Sequence, residues 1–460
     1  MIAWRACSLW IATASALALA LTVPASAATE VERIISPLGI EAWLVRSPTA
    51  PLIAIDFAFR GGSSQDPADK AGVAAMVAGL IDEGAGGLDA RAFHEQLESG
   101  AISLSFTATR DQFNGSLRTL LDQQDKAFEL INLSLTTPRF DADAVERIRS
   151  NLLSDLRRAT TNPNQIASRN WWTTAFRGHP YEWPVNGTVE SVTTVTPADL
   201  KAYVQRVFAR DNLKVAIVGN VDAAAAGAIV DRIFGPLPEK ADLAPVAAAK
   251  PQGLGRKIMV DLDVPQSVVM IGGEGIPLRD PDFMAAYIVN EILGGGSFAS
   301  RLYREVREVR GLAYSVYSAL VPLDHAALFM SGTATRSDRA GQTLEVVEKE
   351  IHRLAETGPS QEELTRAKSY LKGAYALRFD TSSKIASQLV QIQMDDLGID
   401  YIKKRNSLVE AVTLADVKRV AKRLLDGGLL VTVVGRPPVT TATTTVKGGG
   451  ELPSAPGMTR

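Results

Sequence analysis

The sequence predicts an α+β protein of two homologous halves, each a mainly antiparallel sheet packed with helices. Three observations predict it: an internal repeat, strands and helices interleaved within each copy, and an aperiodic stretch between the copies. The early copy contains "NPNQIASRN" and then "VTTVTPADLKAYVQRVFARDNLKVAIVGNV", and the later one "DTSSKIASQL" and then "EAVTLADVKRVAKRLLDGGLLVTVVGRP". Ile166-Ala167-Ser168 aligns with Ile385-Ala386-Ser387, Thr196-Pro197-Ala198-Asp199 with Thr413-Leu414-Ala415-Asp416, and Val218-Gly219 with Val434-Gly435. A duplicated domain is the simplest cause.

Taken in order, residues 1–27 open with one positive charge at Arg5, continue through a short apolar run and end in Ala25-Ser26-Ala27. That pattern predicts a secretory signal peptide cut after Ala27. Polar Thr13 and Ser15 and the nearby Pro24 argue against an uncleaved membrane anchor. Residues 28–238 form the first predicted domain. It opens on strand-like alternation in "APLIAIDFAFRGG" and closes on a capped amphipathic helix and the β-branched run "LKVAIVG". Residues 239–256, rich in Pro, Ala and Gly, read as the linker. Residues 257–436 form the second domain, from "QSVVMIGGEGI" to "LLVTVVG". Residues 437–460 are poor in apolar side chains and are expected to be a disordered tail.

Composition narrows the function. A net charge of −2, with Lys and Arg spread along the chain, leaves no basic footprint for nucleic acid. Beyond the signal peptide no segment has the apolar length of a membrane span. The only cysteine, Cys7, lies within the signal peptide, so the mature chain has neither disulfide nor thiolate ligand. The expected location is a bacterial periplasm. His94, His179, His325 and His352 are far apart, and none has a second histidine at helical ligand spacing. His94 reads as a solvated helix residue and His179 as a loop residue. There is no Gly-x-Ser-x-Gly elbow and no P-loop.

One stretch concentrates unusual chemistry: "LGGGSFASRLYREVREVRGLAYSVYS", residues 293–318. Within it "SRLYREVREV" predicts an amphipathic helix with Leu302, Val306 and Val309 on one face. Arg301 with Glu305, and Arg304 with Glu308, are spaced to pair on the other. "LAYSVYSAL" predicts a strand with Leu312, Tyr314 and Val316 on one side and Ala313, Ser315 and Tyr317 on the other. By pattern alone Arg307 is an ordinary surface residue or a functional one, and Tyr314 a core aromatic or a functional one.

The duplicated halves and this motif together resemble the insulinase/pitrilysin family of zinc peptidases, in its bacterial, processing-peptidase-like branch. The resemblance spans residues 30–436. It implies that the two halves, joined by the linker, form a clam-shell around the substrate. It implies catalytic roles for Arg307 and Tyr314, which match the family's arginine and tyrosine seven residues apart. A tyrosine hydroxyl can donate to the oxyanion of a tetrahedral intermediate, and an arginine fork can hold a peptide carbonyl. It further implies substrate binding by Gly294, Gly295, Gly296 and Ser297.

The first half departs from the family. Active members carry His-x-x-Glu-His on a helix, with two zinc ligands and a general base. Here the helix reads "KAGVAAMVAGLIDEG", and Ala75, Ala78 and Gly79 occupy those positions. The later glutamate ligand has at best a shortened counterpart in Asp155. No metal ligand, and no function, is therefore expected at this degenerate motif. The resemblance implies a non-catalytic subunit of a two-chain zinc metallopeptidase. A homologous partner with His-x-x-Glu-His supplies the zinc and the base, and unfolded peptide is the substrate. The alternative is a catalytically inactive peptide-binding or assembly module.

Overall fold

A computed structural model describes residues 30–48, 51–296, 298–436 and 444–447. The expected signal peptide and Ser297 lie outside the described residues. The first half contributes β1 Glu32–Ile35, β2 Glu41–Arg46, β3 Leu52–Arg60, a short hairpin of β4 Gly84–Ala85 and β5 Leu88–Asp89, β6 Ser103–Ala108, β7 Gln112–Leu120 and β8 Leu213–Gly219. The second contributes β9 Lys257–Asp261, β10 Gln266–Glu274, β11 Ala313–Pro322, β12 Ala327–Arg336, β13 Leu430–Gly435 and β14 Thr444–Lys447.

Helices of the first half are α1 Val73–Ala78, α2 Ala90–Ser99, α3 Gln124–Thr136, α4 Ala142–Ala159, α5 Pro163–Ala175, α6 Val189–Thr194, α7 Pro197–Val207 and α8 Ala223–Phe234. Those of the second are α9 Phe283–Leu293, α10 Ala340–Thr357, α11 Gln361–Ala376, α12 Ser382–Met394, α13 Tyr401–Ala411 and α14 Leu414–Leu425. None of the helices among the described residues is long and apolar enough to cross a membrane.

The two large sheets share one topology. The first runs β6-β7-β3-β8-β2-β1 and the second β11-β12-β10-β13-β9-β14. In both, the hairpin at one edge pairs antiparallel with a long central strand, and the pair after it, β2 with β8 or β9 with β13, is parallel. The match fails only at the outer edge. There β1 pairs antiparallel with β2, whereas β14 pairs parallel with β9. The expectation of disorder throughout residues 437–460 is corrected at 444–447, where "TTVK" extends a sheet edge whose backbone groups would otherwise lack partners.

One face of each sheet is covered by helices of its own half. In the first, Met76 and Val77 of α1, Ile131 of α3, Leu200 of α7 and Phe234 of α8 join a core with Phe57 and Phe59 of β3. In the second, Ile288 and Ile292 of α9, Ile351 of α10 and Val420 of α14 pack on Val269 and Ile271 of β10. The repeated Thr-x-x-Asp segments behave alike: Thr196 and Thr413 each close a capping box that starts α7 and α14.

The opposite faces are covered by exchange. Helix α5 leaves the first half and lays Ala167, Trp171 and Ala175 on Val268, Met330, Leu430 and Val434 of the second sheet. Helix α12 leaves the second half and lays Ala386, Leu389 and Val390 on Trp43, Ala58, Ala216 and Val218 of the first. Each has a side-chain bond to one of two equivalent central strands. Trp171 Nε1 donates to Leu430 O at 3.1 Å, and Gln393 Nε2 donates to Val215 O at 2.9 Å. The repeated Ile-Ala-Ser triplets thus mark the two exchanged helices. Domains drawn at 28–238 and 257–436 each lend one layer to the other.

Candidate functional site

The motif of residues 293–318 begins where α9 ends. Gly294 O accepts from Ser318 N of β11 at 2.8 Å, and a Cβ on Gly294 would stand 2.7 Å from that nitrogen. A Cβ on Gly295 would stand 2.6 Å from the Glu291 Cα. The first two glycines therefore permit close approach of the chain to itself. Gly296 differs: its φ is +109° and it faces open space.

Beyond this loop, Tyr303–Glu308 wind as a π-helical turn, in which Val309 N reaches back to Arg304 O at 2.9 Å. The wider turn changes which side chains share a face. Leu302 and Val306 are buried as expected, but Val309 is 62% exposed, which corrects its predicted place on the apolar face. The predicted pairs are also replaced. Arg301 binds Glu363 of α11, while Arg304 and Arg310 both bind Glu305. Arg310, aided by Arg304, holds the Glu305 carboxyl below its usual range against the opposing effect of burial.

Strand β11 carries a bulge between Ala313 and Val316, where Tyr314 and Ser315 oppose the single Ala334 of β12. Simple alternation fails here. Leu312, Ala313 and Val316 are buried, whereas Tyr314 is 80% exposed and Tyr317 half exposed. Tyr314 is not a core aromatic. The π turn and the bulge bring the two sequence-predicted residues together: the Arg307 guanidinium lies over the Tyr314 ring at 4.3 Å and over the Tyr303 ring at 4.9 Å. Phe298, 75% exposed, packs edge-on to Tyr303 at 5.2 Å. An arginine set between two tyrosines therefore stands at the surface of the second half, beside the edge strand of its sheet.

In the first half, α1 begins at Gly72, φ +103°, where the Asp66 carboxylate accepts from Gly72 N at 2.8 Å and Ala74 N at 2.9 Å. Burial pushes the Asp66 carboxyl up to about 7, only partly opposed by those backbone donors. Ala75 and Ala78 are half-buried, and the helix stops at Gly79, where a Cβ would touch Ile148 of α4. Asp155 points away into solvent and pairs with Arg158 one turn on. These side chains supply no imidazole and no base, and no group of three or more His, Cys, Asp or Glu among the described residues is arranged to hold a metal ion. The zinc centre of the family's active members does not fit this helix.

Sequence reasoning missed the junction between the halves. Tyr181 Oη donates to Asp111 at 2.5 Å and accepts from His325 N at 3.1 Å, and Asp324 N donates to the other Asp111 oxygen at 3.0 Å. Arg60 bridges Asp324 and Asp396, each at 3.0 Å. The linker runs alongside: Ala247 O meets His179 Nε2 at 2.9 Å, and Ala249 N donates to His325 O at 2.8 Å. These groups come from segments some 70 to 340 residues apart, and no local spacing announces them.

Two related six-stranded sheets exchanging helices form a peptidase-like scaffold. Family models match it over most of the described chain: insulinase (peptidase family M16) over residues 42–189, and the peptidase M16 inactive domain over residues 194–371. The chain belongs to the insulinase, or M16, peptidase family. It is 28% identical over 337 residues to the non-peptidase homolog YmxG of Helicobacter pylori, covering 72% of this chain and 77% of that one. An uncharacterized zinc protease of Mycobacterium bovis is 29% identical over 316 residues, covering 67% and 71%. The crystal structure of a peptidase M16 inactive domain from Pseudomonas fluorescens superposes with a TM-score of 0.83 at 28% identity, covering 90% of this chain and all of that one.

Proposed function

We propose that the chain is the non-catalytic, substrate-binding subunit of a two-chain periplasmic zinc metallopeptidase. The observation that carries this reading is the exposed Arg307–Tyr314 pair in a chain whose α1 bears Ala75, Ala78 and Gly79. A surface tyrosine set on a bulge and stacked on arginine gains little from packing; its hydroxyl is available to donate to an oxyanion. Arg307 holds a substrate carbonyl, and Gly296, which faces open space, borders the bound peptide. Zinc and the general base belong to a homologous partner with His-x-x-Glu-His. Export through the expected signal peptide of residues 1–27 would bring this chain to the periplasm, where the partner acts with it.

The test is peptidase activity on an unstructured peptide with zinc present, using the mature chain alone and mixed with a His-x-x-Glu-His homologue from the same organism. Activity only in the mixture, abolished by chelator, is expected. Tyr314→Phe should then lower kcat by about a hundredfold, the usual effect of losing one oxyanion donor, with assembly intact. Inactivity in both arms would favour the second reading, a peptide-binding or assembly module, to which the absence of zinc-ligating side chains on α1 also lends support. Turnover by the chain alone would overturn both.

A further inference from the structure

Four arginines lie between residues 301 and 310, and three of them have carboxylate partners within the chain. Arg301 is paired with Glu363, and Arg304 and Arg310 share Glu305. Arg307 makes no hydrogen bond or ion pair through its guanidinium among the described residues, and Glu308, next in sequence, does not pair with it. Its faces are covered instead by Tyr303 and Tyr314.

That arrangement leaves one kind of contact open. A guanidinium covered on its faces can hydrogen-bond only in its own plane, and its fork of N–H donors matches the two oxygens of a carboxylate. The rings restrict the side chain before any ligand arrives, which reduces the ordering cost of binding, and they remove part of the water around the charge. Beyond Tyr303 the exposed Phe298 ring offers an apolar wall next to the anion position.

We propose that Arg307, held between Tyr303 and Tyr314, is a receptor for a carboxylate carried by an extended peptide, with Phe298 contacting the side chain beside it. This rests on the peptide-binding reading above and names its ligand chemistry. The carboxylate comes either from the peptide C-terminus or from an Asp or Glu side chain, and the test separates these sources. The same in-plane donors that would hold a substrate carbonyl bind this charged oxygen pair more strongly.

The experiment is fluorescence anisotropy with the full mature chain and an unstructured peptide labelled at its N-terminus. The peptide is made in four forms: internal Glu or Gln, each with a free or an amidated C-terminus. Removing the recognised carboxylate should raise Kd by about tenfold or more, as expected for a charge-assisted bidentate pair. A loss on Glu-to-Gln exchange identifies a side-chain carboxylate, and a loss on amidation identifies the C-terminus. Arg307→Gln should erase the difference between the forms, and Arg307→Lys should restore only part of it. Phe298→Ala should weaken all four forms while leaving their ratios unchanged, and circular dichroism of each variant checks folding. Equal affinity for all four forms would overturn the carboxylate receptor while leaving peptide binding standing. Failure to bind any form would overturn both.

Discussion

Residue by residue, the motif divides between holding the chain and meeting a ligand. Gly294 belongs to the first group. Its missing side chain lets α9 close onto β11, so Gly294→Ala should destabilise the protein by about 1–3 kcal/mol through overpacking. A urea titration measures this, and an unchanged midpoint would show that the loop relaxes freely. Gly296, with open space before it, should accept a Cβ sterically and resist it only through its positive φ. The seven-residue spacing of Arg307 and Tyr314 was legible in the sequence. Their stacking was not, because it depends on two one-residue irregularities, the π turn and the bulge, and periodicity reports only regular elements. The same irregularities explain why Val309 and Tyr314 do not lie on the faces that their patterns suggested.

At the scale of elements, the repeat was legible and its meaning was not. Ile166-Ala167-Ser168 and Ile385-Ala386-Ser387 announce two equivalent helices, yet amphipathicity reports only that a helix has a buried face and leaves the covering sheet unnamed. Contact across some 260 residues decides that α5 lies on the second sheet. The strand it covers is shaped for it: a Cβ on Gly272 of β10 would stand 2.4 Å from the Trp171 ring. Trp171→Ala should cost about 3–5 kcal/mol, the range for truncating a buried aromatic. Because α12 still lies on the first sheet in that variant, fluorescence and circular dichroism should report one coincident transition. Two separated transitions would show that the halves unfold independently.

For the whole molecule, buried carboxylates set the response to pH. Burial raises Asp66 to about 7 and Asp56 and Asp395 to about 6, with Ser116 and Gln391 opposing it weakly at the last two. These groups have ordinary values near 4 in the unfolded chain, so between about pH 7 and 4 the folded protein holds protons that the unfolded one has released. Stability therefore rises as pH falls through this window. Carboxyls with lowered values act in the opposite direction, above all Glu363, lowered to about 2 by Arg301 despite its burial, and Asp282, lowered to about 2 by Arg419 and then Arg423. Their contributions are complete above about pH 4 and disappear toward pH 2. The urea midpoint should accordingly be higher at pH 5 than at pH 8 and fall again below pH 4. Asp395→Asn, which keeps the oxygen that accepts from Gln391, should flatten the rise between pH 8 and 5. An identical slope in that variant would remove Asp395 from the account.

The helix exchange also changes what the peptide connection at residues 239–256 is for. With α5 seated on one sheet and α12 on the other, the halves hold each other by two reciprocal clasps, and the intervening chain adds mainly effective concentration. Severed there, the protein would behave as two complementary fragments that stay associated, much as a pair of separately made chains would. In that respect a single polypeptide already contains, between its own halves, the kind of mutual dependence expected of two subunits.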